Sequence, residues 1–189
     1  MIPSYYNQEI KKLDWEELKI PKVLNISIVI LSLISILVGQ YFVSLMQLIH
    51  LIKQLPLLIL TFPLLIFVYI VLHEFIHGIL MKYYSGISAQ YGISGPFIFA
   101  KSEAIFSKEA YLIITMAPMF VLGASSIVLS LFISGTGIWF GIFVWVMNLY
   151  ASRGDLQAVM AVKELPRTYG IQDNGYSLNI YQINNMYNQ

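Results

Sequence analysis

The sequence predicts an all-α membrane protein of about four transmembrane helices, with a short β-like loop between the second and third. Three observations carry that prediction. Hydrophobic residues make up 58% of the 189 and charged residues only 11%, whereas a soluble domain is about a quarter charged. The apolar residues gather into runs long enough to cross a hydrocarbon core of about 30 Å. Between the second and third runs, Gly86, Gly92, Gly95 and Pro96 punctuate the chain in a way helices avoid. The chain has no cysteine, which excludes disulfides and thiolate metal sites. A net charge of +1 gives no basis for binding nucleic acid.

Residues 1–22 are the most charged stretch, and they read as an interfacial segment. Asn7 is placed to cap a short helix, Tyr6, Ile10 and Leu13 to share one face, and Trp15 to sit at the membrane surface. The membrane domain follows over residues 23–165. Its first span runs from Val23 to about Leu48 without a charge. A short turn carries the lone His50, read as an ordinary loop histidine, and Pro56 starts the second span, which ends near Met81. Pro63 lies within that span and predicts a kink. Residues 85–108 hold two strand-like pieces, Gln90 to Ile93 and Phe97 to Phe99, and read as a loop or hairpin. The third span runs from Glu109 to about Ser134. The fourth helix begins near Ile138, turns polar at Asn148 and continues until Pro166. Residues 166–189 form a polar, cytoplasmic tail rich in Asn, Gln and Tyr.

Basic residues set the orientation. With both termini in the cytoplasm, ten of the eleven Lys and Arg residues fall inside and only Lys53 outside. The protein is therefore expected in the cell membrane with several passes, in contact with the lipid bilayer.

The chemistry centres on His73-Glu74-Phe75-Ile76-His77, late in the second apolar run. On a helix, residues four apart share a face, so His73 and His77 can hold one metal ion. Glu74 lies beside that face, where a carboxylate can take a proton from an activated water. Three ionisable residues within a span are costly and point to function. A catalytic zinc site needs a third protein ligand. His73 and His77 lie 17 and 21 residues past Pro56, and Asp155 lies 17 past Ile138. At about 1.5 Å per residue, all three fall roughly 25–32 Å below the outer surface, toward the cytoplasmic side. Asp155 is therefore the expected third ligand, and Glu103 and Glu109 are expected at the interface. Asn148, two turns before Asp155, has two readings. It can bind the substrate backbone or a developing oxyanion, or it can make an interhelical hydrogen bond.

His73-Glu74-Phe75-Ile76-His77-Gly78 on one span, with Asp155 on a later one, resembles the site-2 protease class of intramembrane zinc metalloproteases. The chain more closely resembles a bacterial membrane family described as putative zincin peptidases. That likeness covers most of residues 55–180, including Ala117-Pro118, Asn148 through Gly154-Asp155, Leu165-Pro166 and the stretch from Asp173 to Tyr176. The resemblance implies Zn2+ on His73, His77 and Asp155, with Glu74 as catalytic base. It implies hydrolysis of a membrane protein or peptide substrate, with residues 86–101 as a membrane-associated hairpin near the site. The chain departs from the better-known members in having Gly154-Asp155-Leu156 in place of Asp-Gly, and no proline between Asn148 and Asp155. The competing expectation is a catalytically inactive protein of the same fold, with a structural metal or a partner-binding role.

Overall fold

The computed structural model describes residues 6–14, 18–95, 97–133, 135–175 and 177–183. The expected interfacial Trp15, the turn residues Pro96 and Ser134, Tyr176, and residues 184–189 of the tail lie outside that set. The chain is mostly helical, but it is not all-α. Its elements run β1 (Tyr6–Asp14), α1 (Lys22–Phe42), α2 (Leu45–Gln54), α3 (Thr61–Ser85), β2 (Gln90–Ser94), β3 (Phe97–Lys101), β4 (Phe106–Ser107), α4 (Lys108–Phe132), α5 (Ile138–Ala151), α6 (Arg153–Val162), β5 (Tyr169–Asp173) and β6 (Ser177–Ile183). Among the described residues, three helical stretches are long and apolar enough to cross a membrane: Lys22–Phe42, Pro56–Ser85 and Lys108–Phe132.

The chain divides into two compact units, with α3 and α4 each giving one half to either. The first unit holds residues 1–19, 74–117 and 154–189. Its four-stranded sheet has the order β1-β6-β5-β4, and β2 pairs with β3 in a separate hairpin. This overturns two expectations. The amino-terminal segment forms a strand rather than a helix, paired antiparallel with β6 through Leu13–Leu178 and Asp14–Ser177. The tail supplies both β5 and β6. In each, apolar residues recur at alternate positions, and Ile171, Leu178 and Ile180 are buried. Ile171 and Leu178 join Phe106, Tyr111, Ile114 and Val162 in the core of this unit, with Leu13 and Leu18 packed against it.

The second unit holds residues 20–73 and 118–153. The first apolar run breaks at Val43, and Ser44 caps α2 by accepting from the Met46 N–H at 3.3 Å. On α1, Leu33, Ile34 and Leu37 are exposed, as a lipid-facing helix requires. Its serines return their hydroxyls to carbonyls one turn back, Ser32 to Ile28 at 2.8 Å and Ser35 to Leu31 at 2.7 Å. The Trp145 indole donates to Ser35 Oγ at 3.0 Å, joining α5 to α1. Residues 56–60 form a 3-10 turn, and α3 begins at Thr61. Pro63 therefore falls in the first turn of α3, where its missing N–H costs no intrahelical hydrogen bond. The expected fourth helix stops at Ser152, which leaves α5 with 14 residues and α6 as a separate helix.

Candidate metal centre

Helix α3 is uncharged from Thr61 until it reaches His73, and its mean composition is that of a lipid-facing span. His73 and His77 nevertheless point inward and are buried, at 6% and 8% exposure. Each ring is held through its Nδ1. His77 Nδ1 donates to the Ile114 carbonyl at 2.9 Å. That carbonyl is available because of Pro118, which lies inside α4. In an unbroken helix the N–H of residue 118 would bond to the carbonyl of residue 114, and proline has no N–H. His73 Nδ1 lies 3.1 Å from the Tyr69 hydroxyl, one turn back on α3.

Asp155 sits in the first turn of α6, where the helix dipole favours a carboxylate. Its Oδ1 is 3.2 Å from His77 Nε2. Glu74 is fixed from the hairpin, because the Ala100 N–H donates to Glu74 Oε2 at 2.7 Å. Ala100 stands opposite Tyr91 in that hairpin. A Cβ at Gly78 would collide with the Tyr91 hydroxyl, so the phenol packs on α3 one turn past Glu74. Burial, and then the Glu74 carboxylate, push the Tyr91 phenol above its ordinary pKa.

Asn148 is fully buried. Its Oδ1 accepts from the Tyr69 hydroxyl at 2.8 Å and its Nδ2 donates to the Met119 carbonyl at 3.0 Å. These are interhelical bonds, one of the two readings open from the sequence. The end of α5 separates Asn148 from Asp155, so the two do not share a continuous helix face. Glu109 pairs with Arg167 at 3.0 Å.

His73, His77 and Asp155 each offer one ligand atom, and these atoms lie within 4.8 Å of one another. The set fits zinc. It combines two imidazoles and a carboxylate, and with Nδ1 engaged each ring presents Nε2. Two ligands about 2.0–2.1 Å from a tetrahedral zinc stand about 3.3 Å apart, close to the 3.2 Å between His77 Nε2 and Asp155 Oδ1.

Several groups around the site escaped the sequence reading. Tyr69 and Tyr91 looked like ordinary aromatic residues of an apolar chain. Asp173, on β5, is half-buried, and desolvation of its carboxyl pushes it up to about 6 against the opposing pull of the Gly175 N–H and the Tyr111 hydroxyl. Those donors sit 2.9 Å from Oδ1 and 3.2 Å from Oδ2. The one available signal was a proline in an apolar span, Pro118, since a proline there leaves a carbonyl in need of a donor.

A profile of the family described as "Putative zincin peptidase" matches residues 65–169, a range that holds His73, Glu74, His77, Asn148 and Asp155. No curated protein and no solved structure matches the chain significantly.

Proposed function

The chain belongs to the family described as "Putative zincin peptidase", and on that premise we propose a membrane-embedded zinc metallopeptidase that hydrolyses peptide bonds of a membrane-associated protein. The observation that carries the reading is the convergence of Asp155, from α6, with His73 and His77 on the helix that bears Glu74. Zinc bound by those three side chains would acidify a water and polarise the scissile carbonyl. The chain supplies the proton chemistry. Glu74 accepts the water proton at its carboxylate and returns it to the leaving amine nitrogen. The Ala100 N–H on Oε2 orients that carboxylate, and the Nδ1 bonds of His73 and His77 fix the planes of both rings.

The substrate is read as an extended segment. Among the described residues β3 pairs only with β2, and the Ala100 N–H points off its other edge toward Glu74. A strand added along that edge would bring its backbone past the catalytic carboxylate. An HExxH helix followed by an aspartate from a later helix is the site-2 protease arrangement, and we assign the protein to that type.

The proposed topology has four crossings, with both chain ends and the site toward the cytoplasm. The four-stranded sheet supports it, because β1, β4, β5 and β6 belong to one sheet and so to one side of a membrane. Between β1 and β4 the chain passes through α1 and α3, which is an even number. Between β4 and β5 it passes through α4, so α5 must return it. With 14 residues, α5 rises about 21 Å, which leaves Asp155 short of the far edge of a core of about 30 Å.

Zinc content per chain and cleavage of a membrane-protein substrate, measured on one preparation, test the reading. Glu74→Gln should keep zinc and lose cleavage. His77→Ala and Asp155→Ala should each lose zinc. A wild-type protein that binds no zinc sinks the proposal. A Glu74→Gln variant that fully restores a deletion phenotype replaces it with the inactive, metal-holding alternative.

A further inference from the structure

We infer that Tyr69 and Asn148 are positioning residues that commit His73 to the tautomer with its proton on Nδ1 and its lone pair on Nε2. The inference rests on the reading of His73 as a metal ligand.

Hydrogen-bond direction is set outward from a group that has no choice. The Met119 carbonyl can only accept, so the atom 3.0 Å from it must be the Asn148 amide nitrogen. This fixes which way the amide faces and puts Oδ1 against Tyr69, at 2.8 Å. Oδ1 can only accept, so it takes the single phenol proton. The Tyr69 oxygen then has only lone pairs to offer His73 Nδ1, at 3.1 Å. His73 must donate there, so Nδ1 carries the hydrogen and the neutral ring keeps its lone pair on Nε2. Water is not at hand to relax these choices, because His73, Tyr69 and Asn148 are exposed by only 6%, 3% and 0%. Gly123 leaves the space the amide needs, since a Cβ there would stand 2.8 Å from Asn148 Nδ2.

Both histidines thus carry a proton on Nδ1, by separate routes. His77 is held by a carbonyl that a proline leaves open. His73 is held by a carbonyl two side chains away. A metal ligand must present an unprotonated nitrogen, so the relay removes the alternative tautomer before metal arrives. It also gives Asn148 a role through Tyr69 and His73 rather than by contact with substrate.

The test uses the full-length chain with 15N-labelled histidine, in detergent and stripped of metal by chelation. The protein has only three histidines, so the ring spectrum holds three patterns. Wild-type His73 should show the Nδ1–H pattern. Tyr69→Phe, which keeps the ring and removes the hydroxyl, should shift His73 toward a mixture of tautomers and leave His77 unchanged. Its zinc dissociation constant, read by chelator competition, should rise about 10- to 100-fold. Asn148→Leu should do the same to His73, and it serves if Tyr69→Phe does not fold. A general loss of structure would move His77 as well. The inference is overturned if wild-type His73 carries its proton on Nε2. It is equally overturned if either folded variant keeps the wild-type His73 pattern with zinc affinity within about twofold, well inside the usual outer-shell effect. Wild-type protein that takes up no zinc would defeat the peptidase reading instead, and the ring spectrum would still decide the relay.

Discussion

Glu74 and Ala100 are joined by a 2.7 Å hydrogen bond from a strand N–H to a carboxylate oxygen on a helix long and apolar enough to cross a membrane. The bond makes the hairpin part of the proposed catalytic apparatus, since the group that must move a proton is aimed by β3. Ala100→Pro deletes that N–H at an edge position where the strand tolerates proline. Zinc content should stay at the wild-type level, because no ligand is touched. Cleavage should fall about 10- to 100-fold, the scale of loss when a reacting group is misplaced by a fraction of an ångström to about 1 Å. Loss of zinc together with activity would mean that the hairpin supports the fold rather than the base.

Asp173 gives the fold a pH dependence of unusual sign. Its carboxyl is raised from 3.8 to about 6 by burial, so between those values the folded chain binds more protons than the unfolded one. The contribution to stability is complete below about 3.8 and is lost as pH rises through about 6. Thermal melts at steps from pH 4 to 7 should show this component weakening with rising pH. Asp173→Asn, which cannot ionise, should remove it. A variant whose melting profile keeps the wild-type slope across that range would rule out Asp173 as its source.

Sidedness can be read directly, because the chain contains no cysteine. A cysteine placed at Lys53 should react with an impermeant thiol reagent added outside intact cells. Cysteines placed at Lys12 or Glu164 should react only after the membrane is opened. Labelling of Glu164→Cys from outside would leave α5 on one face of the bilayer and remove the fourth crossing.

The cluster of His73, His77 and Asp155 was more legible in the sequence than the fold around it. His73, Glu74 and His77 announce themselves through helical spacing and through the cost of placing them in an apolar run. Asp155 followed from counting residues down two helices, although the fourth helix is in fact broken at Ser152. Ser152-Arg153-Gly154 reads as readily through a helix as across a helix end, so the break left little local trace. The sheet left less. Leu13 meets Leu178 across more than 160 residues, and no local periodicity records a pairing of that range. The charged residues of β1 disguised it further as an interfacial helix, because an edge strand carries charge for its own reasons. Tyr69 stayed hidden because a tyrosine one turn from a histidine looks like any other aromatic in a span. Its role lies in the direction of a proton.

The pairing of β1 with β6 also sets an order of events during synthesis. Asp14 leaves the ribosome well before its partner Ser177. At about 5–20 residues per second, the first strand waits on the order of ten to thirty seconds for the second. Four membrane insertions take place in that interval under the proposed topology. Under that topology the sheet is a late clasp, and it can close only on a chain that has crossed an even number of times. A molecule that misses one insertion carries β1 and β6 to opposite faces of the bilayer, so its clasp stays open and both strands keep bare edges. The same pairing that completes the fold thereby distinguishes a correctly threaded chain from a misthreaded one.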